Sequence, residues 1–199
     1  GDQKMFAKYH PRLSKKEANT PELWYASLER LRNSGSLSKV HKMILGREGT
    51  YLSVDDRCAL RFRLARVFYT ENRLVEAFEL LNLNVQEKGA QLEDSLWLAA
   101  WSAHRLKKDK RALELFKLLG SEAKSDHRRA HGAWWAAERS TTPEARRTWI
   151  NQAAQFPDNF YGLIALESRD GRLPKLQDPS LTCTLLEQPR IQEDVQRMH

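Results

Sequence analysis

The sequence predicts an all-α fold built from stacked helix pairs, and three observations lead there. Apolar residues recur at helical rather than alternating spacing along most of the chain. Only nine Gly and seven Pro are present, and they gather where turns between helices are expected. Alanines recur in matched pairs: Ala65 with Ala77, Ala100 with Ala112 and Ala133 with Ala145 are each twelve residues apart, and the first members are separated by 35 and 33 residues. Small residues at matched places on paired helices, with a period near 34, mark where stacked helices cross most closely. The predicted architecture is therefore a right-handed superhelix of tetratricopeptide-like helix pairs, an α-solenoid.

Taken in order, residues 1–19 read as a short helix or extended arm, because Pro11 interrupts any longer helix. Thr20-Pro21-Glu22 is a start signal for a helix carrying Leu23, Trp24, Leu28 and Leu31 up to Asn33. Gly35 breaks it. A partner helix over 37–45 precedes a loop from Gly46 to Gly49. The looser spacing of 39 from Ala65 assigns Ala26 and Ser38 to the crossing of this first pair. Ser53, followed by Asp55 and Asp56, opens a longer helix reaching about Tyr69, whose partner carries Leu74, Ala77, Phe78 and Leu81. The next pair spans about Glu93 to Leu106 and Lys110 to Leu119.

The most informative stretch runs from Arg128 to Gly171. Ala130, Gly132, Ala133, Ala136 and Ala137 make one face of a helix thin, so that a neighbour can approach while Trp134 and Trp135 fill the space around the contact. Thr142 as N-cap and Pro143 as first helical residue open the next helix. Pro157 ends it, and Asp158 or Asn159 can cap a further helix carrying Phe160, Leu163, Ile164 and Leu166. After Gly171 the pattern fades: Arg172 to Pro179 reads as a linker, followed by Leu185, Leu186, Ile191, Val195 and Met198 on one or two further helices.

A chain of 199 residues with 41% hydrophobic and 30% charged residues has enough apolar material for one domain or an elongated array. No apolar run approaches the length of a membrane span. Cys58 and Cys183 are too few for a disulfide framework and read as two isolated thiols. The 33 basic against 26 acidic residues give a net charge of +7, which favours anionic partners without selecting one.

The segment Ala130-His131-Gly132-Ala133-Trp134-Trp135-Ala136-Ala137, then Glu144-Ala145-Arg146-Arg147 before Trp149, then Gln155-Phe156-Pro157-Asp158-Asn159-Phe160-Tyr161-Gly162-Leu163-Ile164-Ala165, resembles the superhelical domain of the soluble lytic murein transglycosylases. The Phe160-Tyr161-Gly162 helix is the most specific part, and the likeness covers roughly Leu52 to Arg172. The resemblance implies a periplasmic protein that works on peptidoglycan, with residues 1–171 as the helical-repeat domain and 172–199 leading toward a catalytic lysozyme-like domain of the same parent chain. It also implies that Phe160, Tyr161 and Gly162 anchor the end of the array, with Gly162 admitting a close neighbour.

In that family one Glu, opening a Glu-Ser pair, acts as acid and then base. Glu167-Ser168 resembles the pair, but it is followed by Arg169-Asp170-Gly171 and lacks the downstream glycine-rich segments, so no catalytic residue is assigned and residues 1–199 alone are expected to be inactive. His127 and His131 lie four apart, a zinc-compatible spacing that lacks a third ligand, and read as polar or capping histidines. No metal or cofactor is expected.

The candidate ligand-binding residues are Arg128, Arg129, Trp134, Trp135, Arg146 and Arg147. Tryptophan can stack on sugar rings, although helical spacing favours core packing for each of the six. The basic clusters at Lys107-Lys108-Lys110-Arg111, Arg128-Arg129 and Arg146-Arg147 could together line one rim of a curved array and attract the carboxylates of peptidoglycan stems. A stand-alone helical-repeat adaptor that binds an acidic peptide or protein is the rival reading. Nucleic-acid binding has charge in its favour but no motif.

Overall fold

The computed structural model describes residues 21–46 and 52–172. The arm over 1–19, the cap Thr20, most of the loop to Gly49, the side chain of Trp24 and everything beyond Arg172, Cys183 included, lie outside the described residues. Among the described residues there are nine helices and no strand. They are α1 (Pro21–Asn33), α2 (Leu37–Leu45), α3 (Val54–Thr70), α4 (Leu74–Glu87), α5 (Leu92–Arg105), α6 (Asp109–Glu122), α7 (Asp126–Glu138), α8 (Pro143–Ala153) and α9 (Phe160–Asp170). Each packs on the next in chain order. α1 also touches α3, α3 touches α5, and α7 touches α9, so the odd-numbered helices adjoin one another.

Local chemistry explains the ends of the helices. Ser53 Oγ accepts the Asp56 N–H at 3.1 Å and donates to the Asp56 carboxylate at 2.6 Å, satisfying one orphan donor of the first turn of α3. Thr142 Oγ1 does the same for the Ala145 N–H at 3.2 Å, with Pro143 as the first residue of α8. Asn159 stands at the N-cap of α9, but its side chain makes no cap and turns to His127 instead, with 3.3 Å between Asn159 Oδ1 and His127 Nδ1.

Three of the odd-to-even turns share one geometry. Gly35, Asn72 and Lys107 take left-handed φ of 78°, 61° and 60°. The following N–H reaches back five residues in each case, from Ser36 to the Leu31 carbonyl (3.0 Å), Arg73 to Phe68 (2.8 Å) and Lys108 to Ala103 (2.9 Å). This Schellman closure satisfies carbonyls that the helix end leaves open. The turns lie 37 and 35 residues apart, and so repeat with the helices.

Five of the six alanines of the register are buried. Ala65, Ala77, Ala100, Ala112 and Ala133 are all at most 1% exposed, while Ala145 is half-buried. The first pair departs from the expectation: Ala26 and Ser38 are exposed, and Leu28 and Val40 are fully buried in their stead. Leu28 and Val40 are themselves twelve apart and stand 37 residues before Ala65 and Ala77, the same offset as Gly35 to Asn72. The two helices pack on each other, and the buried residues at this twelve-residue spacing are large aliphatics rather than small ones.

A further close approach lies between pairs rather than within one. Where α6 meets α7, a Cβ placed on Gly132 would be 2.2 Å from the Gly120 nitrogen, and one placed on Gly120 would be 2.8 Å from the Ala133 nitrogen. The core changes character at this crossing. From α1 to α6 it is filled by Leu28, Leu60, Leu64, Phe68, Leu80, Leu81, Leu96, Leu115 and Phe116, whereas α7, α8 and α9 meet over Ala133, Ala137, Ala153, Ala154, Ala165 and Ile150.

Hydrogen bonds tie equivalent places of successive pairs. Arg73 donates to Ser38 (3.3 Å) and Arg105 to Asn72 (2.7 Å), and Arg139 meets the His104 ring (2.8 Å), at separations of 35, 33 and 35 residues. At the opposite ends of the odd helices, Asp55 accepts the Ala90 N–H (2.7 Å), and Glu93 accepts the Ser125 N–H (3.2 Å) and hydroxyl (2.6 Å). Burial works to raise the Glu93 carboxyl, but the donors from Ser125 and Lys124 outweigh it and hold the group below the ordinary carboxylate range.

Candidate binding face and arginine cleft

Three odd helices place aromatic and imidazole rings on a shared face. Trp97 and Trp101 lie one turn apart on α5, as do His127, His131 and Trp135 on α7, and α9 contributes Tyr161. The rings form a continuous ladder. Trp97 meets Trp101 at 5.7 Å between centroids and His131 at 5.1 Å; Trp101 meets Trp135 at 4.7 Å; His131 meets Tyr161 at 4.4 Å. Phe116 from α6 backs the ladder at 5.6 Å from Trp101. The interplanar angles of 76–82° for the two tryptophan pairs are edge-to-face, so each pair sets the edge of one ring against a face of the other.

His131 is the electrostatic centre of the ladder. Burial, with the nearby His127 and Arg128, pushes its pKa down to about 4, so the ring is neutral at physiological pH. His131 Nδ1 and Trp135 Nε1, one turn apart, are both shut off from solvent without a hydrogen-bond partner. The His127 and His131 rings are 4.0 Å apart. Among the described residues no group of three His, Cys, Asp or Glu could hold a metal ion.

The structure scatters the six candidate ligand residues over four places. Arg128 pairs with Asp94 and lies 5.8 Å from the Trp97 ring centre, and Trp135 belongs to the ladder. Arg129 turns the other way, over the Phe156 ring at 5.2 Å, with Asp126 at 3.7 Å. Trp134 packs against the alanine-rich cluster of α7, α8 and α9. Adjacent residues on one helix point about 100° apart, and this separates Trp134 from Trp135. Arg146 and Arg147 stand on the exposed side of α8.

There they meet a residue that the sequence did not single out. Pro143, Arg146, Arg147, Ile150 and Asn151 form one wall of a cleft of about 560 Å³, and Ser168 with Arg169 from α9 forms the other. Arg146 is oriented by Glu138 at 2.9 Å, and Arg169 by Asp170 through two bonds of 2.6 and 2.7 Å. Arg169 is 22 residues beyond Arg147, and no periodicity links the two. Only the antiparallel return of α9 beside α8 brings them together.

The end of the array also differs in part from expectation. Gly162 fits tightly, since a Cβ there would lie 1.8 Å from the Phe156 carbonyl oxygen, and Tyr161 joins the ladder. Phe160 projects outward at 69% exposure, because the inward face of α9 is set by Gly162 and Ala165. Glu167 and Ser168 are exposed on the last turns of α9. No described helix is long and apolar enough to cross a membrane. Searches of protein-family models, curated proteins and solved structures found no match to this chain.

Proposed function

We propose that this chain is the non-catalytic scaffold of a periplasmic lytic transglycosylase, a right-handed superhelix of tetratricopeptide-like pairs that holds peptidoglycan strands for a catalytic domain of the same parent chain. The observation that carries the reading is the run from Ala153 to Ala165. Its Phe160-Tyr161-Gly162 helix, the most specific point of the resemblance, docks directly onto the turn at Phe156 through Gly162. The equivalent turns and inter-pair bonds at separations near 35, together with the contacts between successive odd helices, support a solenoid. In such an array the odd helices would line one continuous surface, and the aromatic ladder with its flanking arginines would lie on it.

The test is co-sedimentation of residues 1–199 with purified insoluble peptidoglycan at rising salt. Binding at low ionic strength that weakens as salt screens the arginines supports the reading. No binding at low salt would overturn it, and so would release of soluble cell-wall fragments by these residues alone, since the scaffold carries no catalytic group.

A helical-repeat adaptor for an acidic peptide remains the second reading. It is favoured by one observation: the tryptophan rings are occupied by ring-to-ring contacts with one another, Phe116 and His131, which leaves the arginines as the more available groups. Tight binding of an acidic peptide with no retention on cell wall would select it.

A further inference from the structure

The cleft between α8 and α9 has the composition of a site for one particular group. On one wall, Pro143, Arg146, Arg147, Ile150 and Asn151 are spaced at intervals of three and four and so share a face of α8. On the other, Ser168 and Arg169 come from the last turns of α9. Three guanidinium groups thus converge from two helices. Arg146 uses one donor on Glu138, and Arg169 uses two on Asp170, which orients both groups and leaves further N–H groups on each. Arg147 has no acidic partner within salt-bridge distance among the described residues, so it brings an uncompensated charge to the cleft. Between the charges the lining is apolar, from the Pro143 ring and Ile150, the latter only 5% exposed.

A planar fork of donors suits the two oxygens of a carboxylate, and an adjoining aliphatic patch suits a small apolar side chain beside it. A volume of about 560 Å³ is in the range of small-ligand sites. We infer that this cleft binds the free carboxylate of a short peptide ending in a small aliphatic residue, with Arg147 and Arg169 gripping the carboxylate and Ile150 and Pro143 receiving the side chain. The inference deepens the proposed function by naming the group that the array would hold, and it rests on that reading for the source of the peptide. Phosphate would satisfy the charges but would leave the Ile150 and Pro143 surface unused.

The experiment is an NMR titration of the whole chain with acetyl-Ala-Ala, following the backbone signals of Ile150, Asn151 and Ser168, beside titrations with its C-terminal amide and with inorganic phosphate. Saturable shifts confined to α8 and α9 are expected, with a Kd on the order of 1 mM for so small a ligand. The amide and phosphate should bind at least tenfold more weakly. Arg147→Gln and Arg169→Gln should each weaken the peptide at least fivefold, and Arg66→Gln, which removes the same charge at a distant exposed site, should leave it unchanged. No shift up to about 10 Kd, equal binding of the amide, phosphate binding as well as the peptide, or equal weakening by Arg66→Gln would each overturn the assignment. Because the probe is soluble, a failed titration with intact retention on insoluble cell wall would remove this site while leaving the scaffold reading in place, and the reverse result would do the opposite.

Discussion

Gly132 on α7 and Gly120 on α6 meet backbone to backbone, so closely that a methyl group on Gly132 would lie 2.2 Å from the Gly120 nitrogen and 2.7 Å from the Leu119 carbonyl carbon. Neither neighbour is the tip of a flexible side chain, and the helices would have to separate to admit it. This crossing is the joint between the leucine-rich and the alanine-rich halves of the core.

Gly132→Ala is therefore expected to destabilise, although alanine in a helix interior normally gains about 0.5–1 kcal/mol over glycine. Overpacking should cost about 1–3 kcal/mol net. At this chain length that corresponds to a fall in Tm of roughly 2–12 °C. A thermal melt monitored by circular dichroism decides it, and a Tm equal to or above that of the parent would mean that the helices are not so close.

Gly162→Ala addresses the end of the array. The added carbon would lie 1.8 Å from the Phe156 carbonyl oxygen, so α9 must leave its seat. Hydrogen exchange should accelerate across Phe160–Asp170 while α3 to α6 keep their protection, since they share no buried contact with α9. Uniform acceleration, or none, would contradict the local character of this docking.

His131 predicts a dependence on pH. Its folded pKa of about 4 lies below the ordinary 6.5, so the unfolded chain takes up the proton first as the pH falls. The contribution of neutral His131 is therefore whole above about pH 6.5 and is lost progressively between 6.5 and 4. Arg128 and His127 adjoin the ring, and protonation of His131 adds a positive charge next to the Arg128 guanidinium, beside Trp97 and Tyr161. Between pH 7 and pH 5 the parent should lose about 1 kcal/mol more stability than His131→Phe, allowing for the partial access of water to the ring. Denaturant melts at the two pH values measure the difference, and parallel losses in both proteins would exclude it.

Glu87 holds together the start of the longest helix. It meets Arg57 at 3.0 Å and Arg61 at 2.9 Å, and Arg61 is only 5% exposed. Burial works to raise the Glu87 carboxyl, but the bonds from Arg61 and Arg57 outweigh it and keep the group ionised below the usual range. Glu87→Gln would leave the Arg61 charge buried without its counter-ion, an arrangement that costs about 3 kcal/mol. A denaturant midpoint unchanged by this substitution would show that Arg61 finds water instead.

Much of this could be read from the residues before any coordinates. Ser53 and Thr142-Pro143 mark helix starts because capping is settled within four residues. The twelve-residue alanine pairs were legible because each joins two helices across one short turn. Leu28 and Val40 escaped the same search because a crossing can be filled by large side chains as well as small ones, and the identity of the residue does not reveal which. Arg169 escaped because only a distant wall gives it a role, and the outward placement of Phe160 is not legible because its aromatic character says nothing of which side of α9 it occupies.

The sequence by itself determined that the chain folds into helices, where most of them begin and end, and that they follow one another in pairs, because those properties depend on side chains within a turn or two of each other. Tertiary structure alone decided that Gly120 and Gly132 touch, that Trp134 and Trp135 serve different clusters, and that three arginines share a cleft. These depend on the distance and rotation between helix surfaces, which are set by how the whole packed face of one helix fits the next, and no short stretch of residues carries that information.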